Sequence, residues 1–152
     1  MCTGKPLIIR NMTTKSEEEV IKAMIQGSVD EGFAVASSYS KDAFQKFNTK
    51  YWKPGFSIIR PSGNPMSREV WEGMLASDDV EMVSSELLKV NNVQILACGS
   101  AAFAVYTTHD QFKYKGTPND DIATFTVVLE KNPSTGSWLY VHAHRGTGQK
   151  PS

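Results

Sequence analysis

The second half of this chain constrains the fold more than any other feature. From Asp79 onward the residues read as long strands separated by short turn signals, and strands of this length must pair with one another. The spacing predicts strands near Val80–Ile95, Ala101–Tyr114, Ile122–Lys131 and Trp138–Arg145. Cys98-Gly99-Ser100, the stretch Lys115 to Asp120, and Asn132-Pro133-Ser134-Thr135-Gly136 supply the turns. The first strand is too long to be straight, and Asn91-Asn92 marks a bulge or bend within it.

The first half has a different period. Ser16 and Glu19 have capping-box spacing, and Glu17, Glu18 and Glu19 suit the positive end of a helix dipole. Val20, Ile21, Met24, Ile25 and Val29 then recur at helical intervals, in a helix expected to end between Gly32 and Ser38. A second helix runs from its cap Ser40 to about Tyr51, with Phe44, Phe47, Asn48 and Tyr51 on one face. Pro54-Gly55 breaks it, Phe56–Arg60 reads as a short strand, and Pro61–Pro65 as a turn. Ser67 caps a third helix through Ala76, with Val70, Trp71, Met74 and Leu75 inward.

Helices followed by long antiparallel strands imply an α+β fold. Three helices cannot cover both faces of a flat sheet. The sheet must curl around them into a cone-shaped barrel with a cavity at its open end.

Composition narrows the function classes. The chain has 152 residues, enough for one domain, and 16 Lys+Arg balance 16 Asp+Glu. That balance argues against a nucleic-acid partner, which calls for a basic excess. No apolar run has the length of a membrane span. Residues 1–15 read as an N-terminal leader without the features of a secretory signal, 16–148 as the domain, and 149–152 as a tail. Cys2 and Cys98 have no motif spacing; both read as free thiols, which points to the cytoplasm.

The closing strand carries a resemblance. Trp138, Val141, His142, His144 and Arg145 match the Trp-x-x-Val-His-x-His-Arg pattern of the association (hub) domain of calcium/calmodulin-dependent protein kinases. Tyr106 and Gln111-Phe112 stand near matching places in another hub strand. With the order of elements, this resembles the nuclear transport factor 2-like superfamily, including its SnoaL-like domains, across roughly Ser16 to Gly148. The resemblance implies a conical fold with a pocket, usually paired through the outer sheet face. It also implies a choice among carriers, isomerases, cyclases, dehydratases, hub-like carbonic anhydrases and oligomerising hubs. The hub pocket is lined by arginines. Only Arg145 matches one of them, while Thr107 and Thr126 stand where two others would be, so the anion-binding cluster is largely dismantled.

The candidate chemistry follows from strand alternation. His142 and His144 share a face as two metal ligands would, but nothing brings His109 to them, so no metal is expected. On the opposite face Leu139, Val141 and Ala143 lead to Arg145, an apolar wall ending in a guanidinium suited to an anionic or carbonyl group. Arg60 ends its own strand in the same way. Phe103, Val105, Thr107 and His109 share one face of their strand, and Tyr106, Thr108, Asp110 and Phe112 the other. If the Thr107 face is inward, His109 is the candidate general base and Asp110 is excluded. Tyr51, Trp52, Phe56 and Trp71 either ring the pocket mouth or pack helices on the sheet.

The expectation is a small-ligand-binding domain with a partly apolar pocket and no cofactor. It is homodimeric through the outer face bearing Tyr140, His142 and His144. The ligand contacts would come from Arg145, Thr107, Thr126, Arg60, Tyr51, Trp52 and Trp71. The alternatives are an enzyme on the same scaffold, with His109 or Tyr106 in the catalytic role, or a purely oligomerising module.

Overall fold

A computed structural model describes residues 15–147. The expected leader and tail therefore lie, but for Lys15, outside the described residues. Helix α1 spans Glu17–Ser37, with the Ser16 hydroxyl accepting from the Glu19 amide at 3.2 Å. Helix α2, Lys41–Tyr51, is capped in the same way by Ser40, and α3, Arg68–Ala76, by Ser67. Each cap satisfies an amide that the first helical turn leaves without a partner.

The strands are β1 (Trp52–Ile59), β2 (Pro65–Ser67), β3 (Val80–Leu96), β4 (Ala101–Tyr114), β5 (Thr117–Lys131) and β6 (Trp138–Thr147). They form one curved sheet in the order β2-β1-β6-β5-β4-β3, which does not close. Two expectations are corrected here. The sheet is mixed, because β1 runs parallel to β6. The strand expected from Phe56 already begins at Trp52, so Pro54-Gly55, expected as the break after the second helix, lies within β1, where the register against β6 shifts and Gly55 takes a φ of +82°. Strand β3 shifts register against β4 at three places, one of them between Val90 and Asn92, as the Asn91-Asn92 pair implies. Each shift bends the strand and tightens the local twist, which lets the sheet curve around the helices.

The core lies between α1 and the inner face of the sheet. Ile21 and Ile25 are completely buried against Ala102, Ala104, Val127 and Leu129. The alanines let the helix approach the sheet closely, and each isoleucine contributes about 1.5–3 kcal/mol by its burial. Gly27 is needed where α1 meets α2, since a Cβ there would lie 2.7 Å from the Tyr51 hydroxyl.

The free-thiol reading fails for Cys98, which is disulfide-bonded. Cys2 lies outside the described residues. The expectation of a reducing compartment thereby loses its support.

Candidate functional site

Between the inner sheet face and the three helices lies a partly enclosed cavity of ≈ 630 Å³. Its walls are chiefly apolar and aromatic, with Trp52, Phe56, Trp71, Phe112 and Phe125 among them. Trp52 stacks on Phe56 with ring centroids 4.6 Å apart, and Tyr106 on Phe125 at 5.0 Å.

Which side chains reach this cavity depends on the phase of β4 and β6. In β4 the buried positions are Ala102, Ala104, Tyr106, Thr108 and Asp110, so the Tyr106 face is inward and the Thr107 face outward. In β6 the register against β5 shifts between Val128 and Leu129, which oppose His142 and Tyr140 and leave Val141 as an extra residue. That bulge puts Tyr140, Ala143 and Arg145 on one inner face, where simple alternation had grouped Arg145 with Leu139 and Val141.

The polar end of the cavity is built around Asp110. Its carboxylate accepts from the Ser85 hydroxyl at 2.7 Å and the Thr108 hydroxyl at 2.9 Å. Arg145 Nη2 lies 3.5 Å from Asp110 and 3.5 Å from Asp121. Asp110 and Asp121 are directly opposite in the β4–β5 ladder, where like charges repel, and the guanidinium between them offsets that repulsion. The rings of Phe112 and Phe125 stand 6.0 and 5.9 Å from the guanidinium carbon. This is cation–π range, and the rings limit how far Arg145 can move.

Beside this cluster two phenols are buried. Tyr140 Oη lies 2.7 Å from Ser28 Oγ, and the Tyr106 hydroxyl feels the charge of Tyr140 when that phenol ionises. Burial pushes the Tyr106 hydroxyl well above its ordinary value and raises Tyr140 to about 12. Both remain neutral donors and acceptors at physiological pH.

The expected site residues divide. Arg145, Arg60, Trp52, Trp71 and Tyr106 line the cavity. Thr107 and Thr126 do not: Thr107 accepts from Asn91 at 2.9 Å on the outer face, and Thr126 is exposed there beside His144. His109, the candidate base, is also outside, its Nε2 2.6 Å from Asp120. Tyr51 is buried against Phe47 in the helical layer and is not among the lining residues. Tyr140, expected on the outer face, is inside. His142 faces Ser57 at 3.2 Å, and His144 is exposed. Among the described residues no cluster of His, Cys, Asp or Glu is arranged to hold a metal ion. Asp110, excluded if the Thr107 face were inward, is inside because the opposite face is, and sequence reasoning missed Ser85 and Thr108. Ala102 and Ala104 were the available signal, because small residues on one face of a strand mark where a helix packs.

Comparison with known proteins accords with this architecture. The chain is 30% identical to an NTF2-like protein of unknown function from Prochlorococcus marinus, over 90% of this chain and 97% of that one, with a TM-score of 0.68. The association domain of CaMKII from C. elegans aligns over 90% of this chain and 100% of its own, at 23% identity and a TM-score of 0.61. A ketosteroid isomerase-like protein from Erwinia carotovora covers 90% and 99% at 14% identity, with a TM-score of 0.67. The last two likenesses show the fold alone. No curated protein sequence matches the chain. The architecture is thus of the NTF2-like class. Within it the chain belongs to the family described as "Protein of unknown function (DUF3804)", whose profile matches residues 16–151. Among the described residues no helix is long and apolar enough to cross a membrane.

Proposed function

We propose that the protein binds a small, largely apolar molecule in the cavity between the sheet and the helices. The observation that carries this reading is a cavity of ≈ 630 Å³, walled by aromatic side chains and ending in the Asp110–Arg145 cluster. That size and that mixture of broad apolar wall with a few convergent polar groups are what small-molecule sites have. Binding is favoured over catalysis because the expected base, His109, is outside and engaged with Asp120. Asp110 itself is held by two hydroxyls and the guanidinium. The test is titration with the neutral dye Nile red. Saturable, blue-shifted fluorescence at one dye per chain is expected, abolished in Ala36→Phe, which fills the cavity. Dye binding unaffected by that substitution would count against the reading.

We further propose a two-fold dimer through the outer sheet face. The exposed Val128 and the Leu139, Val141 and His142 side chains beside it support this reading, with a mixed apolar and polar character suited to an interface. The C. elegans association domain, of the same fold, is by name an assembling module. Light scattering should give twice the 16.8 kDa chain mass, and a monomeric mass at micromolar concentration would oppose it.

A further inference from the structure

The direction of the hydrogen bonds at the polar end of the cavity points to the ligand's chemistry. Ser28 donates its hydroxyl proton to the Ile25 carbonyl at 2.8 Å. It can therefore only accept in its 2.7 Å contact with Tyr140, so Tyr140 is the donor there. Tyr140 has then used its proton. Ser85 and Thr108 both direct their protons to the Asp110 carboxylate. Each of these four hydroxyls, Ser28, Tyr140, Ser85 and Thr108, thus has its proton committed within the protein, and the capacity left over is lone pairs.

Charge points the same way. Arg145 is set between Asp110 and Asp121 at 3.5 Å from each, so one guanidinium faces two carboxylates and the cluster carries a formal charge of −1. Asp110 lines the cavity, and Asp121 is not among the lining residues. A ligand carboxylate entering here would be a third anion around one cation, at a site with little hydroxyl donation to offer. A ligand ammonium would meet Asp110, the free lone pairs of Ser85 and Thr108, and aromatic walls that attract cations.

Resting on the cavity reading above, we propose that the ligand is a small organic ammonium with an apolar or aromatic body, its charged end against Asp110. Arg60 and Arg68 also line the cavity, with the Arg60 Nε donating to the Asn64 carbonyl. An anionic ligand held by these arginines is the competing outcome.

The experiment is competition for Nile red by three compounds of matched length: n-hexylammonium, 1-hexanol and hexanoate. The ammonium should bind about tenfold or more tighter than the alcohol, the value of a hydrogen bond to a charged group, and hexanoate should be weakest. Asp110→Asn should remove the preference for the ammonium. Should that variant fail to fold, Asp121→Asn serves, since freeing Arg145 from one carboxylate should move the preference toward hexanoate. Equal affinities, or hexanoate binding tightest to the parent protein, would overturn the ammonium assignment while leaving the cavity reading intact. Failure of the dye and of all three compounds to bind would overturn both.

Discussion

Replacing Arg145 with alanine tests the polar cluster most severely. The substitution leaves Asp110 and Asp121 directly opposite each other, with side chains only 10% and 18% exposed. Removing one partner of a buried ion pair costs about 3–5 kcal/mol, because the remaining charge is desolvated without compensation. The contacts are long at 3.5 Å, and Asp110 keeps its two hydroxyl donors. Those facts put the loss near the lower limit, about 3 kcal/mol. For a chain of this size that corresponds to a melting temperature lower by about 6–12 °C. It also lowers the urea midpoint by about 1.5 M if the slope is about 2 kcal/mol/M. Urea denaturation followed by tryptophan fluorescence measures this directly. Adding Asp121→Asn to Arg145→Ala should recover part of the loss, since it removes the repulsion that the guanidinium had offset. A midpoint unchanged in Arg145→Ala would refute the claim that Arg145 is needed to hold the two carboxylates together.

Other outcomes follow from the packing and the phenols. The unfolded chain releases a tyrosine proton near pH 10, whereas folded Tyr140 keeps its proton until about 12 and Tyr106 is raised also. Their contribution to stability is therefore complete below about pH 10 and is lost as the pH rises toward 12. Denaturation midpoints measured from pH 8.5 upward should fall more steeply in the parent than in Tyr140→Phe, and equal slopes would contradict the burial argument. Gly27→Ala gains about 1 kcal/mol of helix propensity but forces a Cβ to 2.7 Å from the Tyr51 hydroxyl. Overpacking of about 1–3 kcal/mol should win, so a stabilised variant in thermal melts would mean that α1 and α2 are not in close contact. Ser67→Ala removes the α3 cap and should cost about 1 kcal/mol, read as a small fall in urea midpoint.

Much of this fold was legible because local chemistry decides it. Ser16, Ser40 and Ser67 cap the helices where their spacing predicts, and α3 has the expected end at Ala76. The parallel pairing of β1 with β6 was not legible, since it joins segments some eighty residues apart and no local signal encodes the partner. The site was harder to read for a physical reason. Both faces of β4 carry apolar and polar residues, so alternation alone could not say whether Thr107 or Tyr106 points inward. In β6 one extra residue at Val141 reverses the phase of everything before it, and nothing in the valine's chemistry announces a bulge. Arg145 was found as a cavity residue despite this because it lies beyond the bulge, while Tyr140, before it, was assigned to the wrong face.

The most direct test of the cavity account uses methionines as reporters. Met66, Met74 and Met82 line the cavity, whereas Met24, on α1, packs against the core and is not among the lining residues. In protein labelled with 13C at the methionine methyls, titration with n-hexylammonium should shift the Met66, Met74 and Met82 signals saturably and leave Met24 in place. Saturable binding that moves none of the three cavity methyls would contradict the account.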